Sequence, residues 1–420
     1  MTLPPHLPVL DTTRIAVKVT NDALRQIRGG HPWVFDASIT SLSRDGQPGD
    51  LAVIFGDRRQ FVAIGLYDPA SPIRIRILHH GSPATVDRSF WAERVDRALQ
   101  VRAELIASPA TNGFRCLNGE NDGFSGLVLD RYDTTLVLKL YSEVWIPHLA
   151  TLLAVITEQF ERAGLATDRV VLRLSRQLSR TETFGLRDGM TIWGEAPQGP
   201  VAFTENGLVF EADVVGGQKT GHFLDQRENR ARVKAMSKGR RVLDVFACTG
   251  GFSLHAAAGG ATEVISIDMS QRSLNSALRN FALNRDRPLV ERCRHQIVVG
   301  DAFDEMRRLI SRREEFDLVI VDPPSFAQKR RDRDGALEAY RRLTDLGLAL
   351  TARGGSFVQS SCSSRVDAAE FRHAVLDTAY ELERPMAVTA ETGHAVDHPV
   401  TFPQGAYLKT LFTRLDRRPR

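Results

Sequence analysis

One cysteine and one acid–proline turn carry most of the chemical potential of this chain. Cys362 lies in the run S-F-V-Q-S-S-C-S-S, among serines rather than apolar residues. A cysteine that serves only to pack is unusual in such a setting. A thiolate there can add to C6 of a pyrimidine. C5, otherwise a poor nucleophile, then becomes enamine-like and able to take a methyl group. A base removes the C5 proton and the thiol is eliminated. Such chemistry needs a cysteine that ionises in an electropositive, partly exposed site. The turn is Asp322-Pro323-Pro324-Ser325-Phe326. Its prolines donate no backbone hydrogen bonds, so their carbonyls stand beside the Asp322 carboxylate as acceptors for an amino group or a ring N–H. Phe326 is suited to stack on a base. Cys362, Asp322 and Pro323 are the catalytic candidates, against a plainer reading of the prolines as a structural turn.

These residues need a sheet to position them, and the chain from Arg240 to Ser364 spells one out. Short β-branched runs (R-R-V-L-D-V-F, E-V-I-S-I-D, Q-I-V-V-G-D, F-D-L-V-I-V, S-F-V-Q-S-S) alternate with helix-like stretches. This is the pattern of a Rossmann-like α/β fold with a parallel sheet, whose chemistry lies at the carboxyl ends of the strands. After the first run comes A-C-T-G-G-F, where Gly250 and Gly251 let backbone approach a ligand. The loop is not G-x-G-x-x-G, which weakens a dinucleotide reading. Acids mark three successive strand ends: Asp244, Asp268 for a ribose diol, and Asp301 for an adenine amino group. One such acid would serve any adenosine cofactor. The ordered series fits a class I methyltransferase holding S-adenosylmethionine better than a nicotinamide dehydrogenase. The expected cofactor set is Asp244, Phe246, Thr249, Gly250, Asp268, Asp301 and Asp322, with Gln226 added below.

The 420 residues predict two or three domains, and a formal net charge of +4 permits an anionic partner without demanding one. The four cysteines, Cys116, Cys248, Cys293 and Cys362, form no C-x-x-C pair, so neither a metal site nor a disulfide framework is expected. No signal pattern opens the chain, and no apolar run approaches the ~18–20 residues needed to span a bilayer. A cytoplasmic protein is expected, with no membrane partner.

The N-terminal third reads as short strands broken by Gly and Pro turns, a small β-barrel over residues 12–82. Arg74 and Arg76 alternate with isoleucines and are expected on the outer face of one strand. There they meet phosphates or are simply solvated. A central α+β domain follows over 86–199, with a helix from about Pro147 to Ala163; Glu120 and Asp122 read there as a solvated turn. The third domain, 200–420, opens on a hairpin turning at Asn206-Gly207.

Several blocks resemble one family. G-x-H-P-W-V-F and the strands after it look like a PUA domain, a small RNA-binding barrel. V-V-G-G-Q-K-T-G-H-F-L-D-Q-R, the D-P-P-S-F and S-C-S segments, and D-H-P-V-T-F-P-Q-G-A-Y-L-K are similar to RlmI-type large-subunit ribosomal RNA methyltransferases. The resemblance covers nearly the whole chain. It implies a PUA-like barrel with Gly30, His31 and Trp33 near RNA, and S-adenosylmethionine as donor. Lys219, Thr220, Asp225, Gln226 and Arg227 would lie near the cofactor or the target base. The implied activity is methylation of cytosine C5 in 23S ribosomal RNA, free or in a large-subunit particle, with a homodimer left open. Lys219, Arg227, Phe326, His31, Trp33, Arg74 and Arg76 are thus the RNA-binding candidates. Two positions depart from the pattern. Ser364-Arg365 follow the S-C-S segment where Gly is common, and Ser325 stands where two-cysteine RNA cytosine methyltransferases carry a second cysteine. Transfer to an exocyclic amine without a covalent intermediate, and a non-catalytic RNA-binding assembly factor, remain the alternatives.

Overall fold

A computed structural model describes residues 3–4, 7–8, 13–180, 184–327 and 329–416. Residue 12, where the barrel is expected to begin, and residues 417–420 of the last expected domain lie outside these. The chain divides into two compact units. One comprises Met1–Thr204, Ala212–Leu224 and Val396–Phe402, and the other Glu205–Glu211, Asp225–Ala395 and Pro403–Arg420.

The first unit holds two sheets. Six strands from Ile15–Val19 to Ile73–His80 enclose a core of Ile15, Val17, Val34, Ala52, Ile54 and Ile75. Five more strands, between Gly113–Asn118 and Thr191–Gly194, pack with helices Arg88–Val101 and Leu149–Arg162 around Trp91, Trp145 and Phe124. The predicted helix and the alternation of short strands are both present.

Arg74 and Arg76 do not share an open outer face. Arg74 pairs with Asp36 at 2.7 Å, while Arg76 is only 6% exposed, with Nη1 3.9 Å from Glu120 Oε1 and 3.5 Å from Ser125 Oγ. Period-two alternation assigns residues to faces but cannot say that both faces of a strand are covered. Glu120 likewise is no solvated turn residue, since it also accepts from Trp33 Nε1 at 3.0 Å and Ser125 Oγ at 2.8 Å. Asp122 receives both terminal nitrogens of Arg102, at 3.1 and 2.6 Å, with Arg102 fully buried. Carboxylates buried this deeply need such partners.

The second unit is built on one seven-stranded sheet: β1 (Arg241–Val245), β2 (Glu263–Asp268), β3 (Arg294–Val299), β4 (Phe316–Val321), β5 (Thr351–Ser361), β6 (Met386–Thr392) and β7 (Lys409–Leu415). Their spatial order is β3-β2-β1-β4-β5-β7-β6, with β1 to β5 parallel and β7 antiparallel to both neighbours. The apolar runs in β1, β2 and β4 are buried, as parallel strands covered on both faces require. Helices α1 (Arg227–Met236), α2 (Gly251–Ala258), α3 (Gln271–Leu283), α4 (Ala302–Ser311), α5 (Arg333–Leu350) and α6 (Ala368–Glu381) supply the cover. Ser270 caps α3, and Asp367 with Glu370 forms a capping box on α6. Each cap is worth about 1 kcal/mol. Glu205 and Arg230, both buried, meet through two 2.6 Å bonds and tie α1 to the strand that precedes the sheet. No helix among the described residues is long and apolar enough to cross a membrane.

Candidate active site

The parallel register sets the site. Val245 pairs with Ile267 on one side and Val321 on the other, so β1, β2 and β4 end in one row. The loop after β1, Asp268 at the end of β2, and Asp322 just past β4 therefore share the carboxyl edge of the sheet. Order reverses there between β1 and β4, and the crevice at such a switch point is where open α/β sheets bind ligands.

The loop after β1 turns sharply. Phe246, Cys248 and Gly250 all have positive φ, at 64°, 49° and 74°. Two non-glycine residues in this region carry strain, which persists only where the surroundings enforce it. Gly250 is the position where a side chain cannot be accommodated, because a Cβ there would come within 2.8 Å of the Ala277 Cβ. The Thr249 carbonyl accepts from Asn280 Nδ2 at 2.9 Å, and the Cys248 amide donates to Asp268 Oδ2 at 2.9 Å. Asp268 Oδ1 takes the Ser270 amide at 2.8 Å. Asp301 is exposed and caps α4 through the amides of Phe303 and Asp304.

Asp244 lies inside the sheet rather than at its tip. Its Oδ2 accepts from the Ser253 amide at 3.0 Å and hydroxyl at 2.5 Å; Oδ1 is buried with no hydrogen-bond partner among the described residues. Burial, opposed by the Ser253 hydroxyl and aided by the charges of Asp322 and Asp268, pushes its carboxyl up to about 7. The folded, ligand-free protein thus keeps a proton that the unfolded chain releases near pH 4. On this group's account stability is fully present below about pH 4 and is lost as pH rises to about 7. Asp244→Asn is expected to flatten that part of the profile, so that the difference in melting temperature between variant and parent grows from pH 5 to pH 8. A difference independent of pH, read by thermal unfolding without ligand, would contradict this.

Asp322 joins a buried polar chain. Its Oδ1 accepts from Gln226 Nε2 at 2.9 Å, and Gln226 Oε1 accepts from Asn229 Nδ2 at 2.6 Å. Asn229 continues to Thr410 at 3.1 Å and Thr392 at 2.6 Å. The D-Q-R block and the D-P-P turn are thereby joined. Arg227, two per cent exposed, donates to Glu228 at 3.0 Å from within the fold.

Cys362 follows β5 directly and is half-buried, with Sγ donating to the Pro323 carbonyl at 3.7 Å. The sequence-predicted catalytic trio is thus brought together. Ser363 next to it is a hub: its Oγ lies 3.2 Å from Ser325 Oγ and 3.0 Å from the Tyr340 hydroxyl, and accepts the Ala327 amide at 3.4 Å. Ser325, read from sequence as the vacant place of a second cysteine, braces this hub. Phe326 packs edge-on against Tyr340 at 5.4 Å. Of the other cysteines, Cys116 and Cys293 are buried, and burial beside Asp268 pushes the Cys248 thiol up to about 11. The Ser363 hub has no local signal in the order of residues.

The remaining RNA candidates lie in the first unit. Trp33 is half-buried, edge-on to Phe402 at 5.3 Å, and His31 Nδ1 sits 3.1 Å from the Trp33 carbonyl. Lys219 has its ammonium 4.4 Å from the Phe223 ring, and Thr220 donates to Asp130 at 2.5 Å.

Comparison with known proteins adds identity to this geometry. Residues 184–378 match the family model for S-adenosylmethionine-dependent methyltransferases, and residues 17–80 that for PUA-like domains. A ribosomal RNA large subunit methyltransferase from Deinococcus radiodurans is 47% identical over 415 residues, covering 97% of this chain and 99% of that protein. The chain belongs to the ribosomal RNA large subunit methyltransferase family. A second relative, ribosomal RNA large subunit methyltransferase I from an Enterobacter species, is 31% identical over 387 residues, covering 92% of this chain and 95% of that protein. A Streptococcus mutans structure described as an S-adenosylmethionine-dependent methyltransferase shares the fold, with a TM-score of 0.77 at 20% identity over 95% of this chain and 99% of that one.

As a member of this family the protein is an enzyme, and its methyl donor is S-adenosylmethionine. The residues present fit that donor. Asp244 within β1 and Asp268 and Asp322 at the carboxyl edge offer acceptors, including a buried Asp244 oxygen with no partner among the described residues. S-adenosylmethionine brings matching donors in its ribose diol and ammonium, and a positive sulfonium. The pyrophosphate of a dinucleotide would instead meet like charge.

Proposed function

We propose that this enzyme forms 5-methylcytosine in large-subunit (23S) ribosomal RNA, in the cytoplasm, through a covalent bond between Cys362 and the base. The observation that carries the reading is the juxtaposition of the half-exposed Cys362 thiol with the Pro323 carbonyl, one residue from Asp322. Asp268 would hold the ribose diol of the donor, and Asp244 and Asp301 would serve its other polar groups. Phe246, Thr249 and Gly250 would form the wall of the cofactor loop, and Gln226 would orient Asp322. When bound, S-adenosylmethionine supplies an electrophilic methyl group.

The cytosine, swung out of its stack, would present its N3/N4 edge to Asp322 and the Pro323 carbonyl. Attack of Sγ on C6 forms the S–C bond and moves the C5=C6 electron pair to C5. C5 takes the methyl group, leaving S-adenosylhomocysteine. A base then removes the C5 proton, the C5=C6 bond reforms, and the S–C bond breaks to return the thiolate. Ser325, engaged with Ser363, offers no second thiol for this last step, so Cys362 is both nucleophile and leaving group. A division of labour among residues 12–82, 86–199 and 200–420 goes with the reading. The PUA-like portion, with His31 and Trp33, would hold RNA, with Lys219 a further RNA contact of the same unit, while Phe326 would serve the target nucleotide and Arg227 would support its site from within the fold. Arg74 and Arg76, engaged in ion pairs, would brace that surface. The relatives' activity on large-subunit ribosomal RNA supports this choice of substrate.

Nucleoside mass spectrometry of large-subunit RNA or particles incubated with enzyme and donor tests it. New 5-methylcytidine is expected. Methyl groups found on an exocyclic amine, or no methylation, would refute the reading.

A further inference from the structure

The loop bearing Cys362 rests on a buried lysine that no motif reading assigned a task. Lys409 opens β7, paired in register with Ser361 at the end of β5, and is 9% exposed. Its Nζ donates to the Ser363 carbonyl at 2.6 Å and the Val366 carbonyl at 2.7 Å. These bonds grip the loop on either side of the Ser364-Arg365 step. Ser363 is meanwhile held from the opposite side by Tyr340, Ser325 and the Ala327 amide. Cys362 thus sits between two held neighbours, Ser361 in the sheet and Ser363 in the clamp.

The clamp also carries charge. A buried ammonium normally demands a carboxylate, since two carbonyl dipoles take two of its three protons and leave its charge uncompensated. Among the described residues no carboxylate lies within ion-pair distance of Lys409. Burial pulls its ammonium down to about 8, opposed first by Cys362 and then by Asp367. Of the two acidic groups that oppose this fall, Cys362 counts for more than Asp367. Some neighbours of Cys362 work against a thiolate: the Pro323 carbonyl accepts from the protonated thiol, and the Tyr340 hydroxyl on α5 adds negative charge if ionised, as does Asp322 beyond β4. On the loop itself, Arg365 is exposed and Asp367 caps α6.

We infer that Lys409 is the positioning residue of the nucleophile: it fixes the Cys362 loop and supplies the positive charge that holds Cys362 as a thiolate. The inference rests on Cys362 being the nucleophile, but its test does not require turnover. The rate of Cys362 alkylation by iodoacetamide, followed by peptide mass spectrometry across pH 5–10, reports the thiolate fraction directly. In the unmodified protein the midpoint is expected at least about one unit below the 8.5 of a free cysteine, and in Lys409→Met to rise by about one unit or more. Lys409→Arg, which keeps the charge, should stay near the parent. Methyl transfer by Lys409→Met should fall 10- to 100-fold at pH 7 and recover in part at pH 9, which lost packing alone would not produce. A parental midpoint at or above 8.5, or an unshifted midpoint in a folded Lys409→Met, overturns the inference. If Lys409→Met does not fold, the parental midpoint and Lys409→Arg decide it. Turnover retained by Cys362→Ala would overturn the nucleophile instead and leave the alkylation result standing.

Discussion

Cys362→Ala is expected to lose methyl transfer to RNA by a factor of at least about 10⁴ while binding S-adenosylmethionine as tightly as the parent. The size follows from the chemistry. C5 of cytosine attacks a methyl donor only after C6 is saturated, and no other cysteine among the described residues follows β4 or β5. Cys116 and Cys293 are buried, and Cys248 belongs to the loop after β1 with its thiol pushed up to about 11. Donor binding should survive because Asp244 within β1 and Asp268 at the end of β2 do not depend on the thiol. The fold should survive too. Sγ meets the Pro323 carbonyl at a long 3.7 Å, whereas the loop is held by Ser363 and Lys409. Calorimetry with S-adenosylmethionine and single-turnover transfer to RNA, on the same preparation, separate these claims. Turnover within tenfold of the parent would point to an acceptor that needs no covalent intermediate.

Asp322→Ala is expected to lower kcat/KM about 10²- to 10³-fold, the range for removing one preorganised polar group from a reacting site. Its effect on stability should be small or favourable. The charge of Asp322 is one reason the Asp244 carboxyl is displaced upward, so removing it relieves repulsion within the carboxyl edge. Gln226 loses one acceptor at 2.9 Å but keeps its bond to Asn229, which is anchored by Thr392 and Thr410. An active-site carboxylate that costs stability and aids turnover is what a functional role predicts. Steady-state kinetics beside urea unfolding decides: activity near that of the parent, or a loss explained by unfolding, would remove Asp322 from the site.

Much of the second unit could be read directly from residue order. Parallel strands buried on both faces must be continuous apolar runs, so the segments ending at Asp268 and Asp322 announced themselves. Cys362 and Asp322 each stand just past the end of one of two such segments, β5 and β4, which pair in parallel. Three things were not legible, each for a physical reason. Arg76 alternates as a solvent-facing residue would, but its strand is covered on both sides, and only tertiary packing reveals Glu120 and Ser125 as its partners. Asp301 looks like its neighbours in the acid series, yet it also satisfies two amides at the start of α4, a capping task that Asp performs at many helices. The clamp on Cys362 joins the hydroxyls of residues 325, 340 and 363 and the carbonyls of 363 and 366 to the ammonium of 409, brought together by tertiary packing rather than by any local spacing. The visible trace was a lysine opening the otherwise apolar run T-L-F of β7.

The covalent bond itself is the most direct thing to measure. RNA carrying 5-fluorocytidine at the target position should be trapped, because fluorine at C5 cannot leave as the proton does and the S–C6 bond then persists. With enzyme and S-adenosylmethionine, the account predicts a protein–RNA adduct stable to denaturation, attached at Cys362 by peptide mass spectrometry and absent with Cys362→Ala. Methylation of unmodified RNA without any adduct on the fluorinated RNA, or an adduct on another residue, would contradict it.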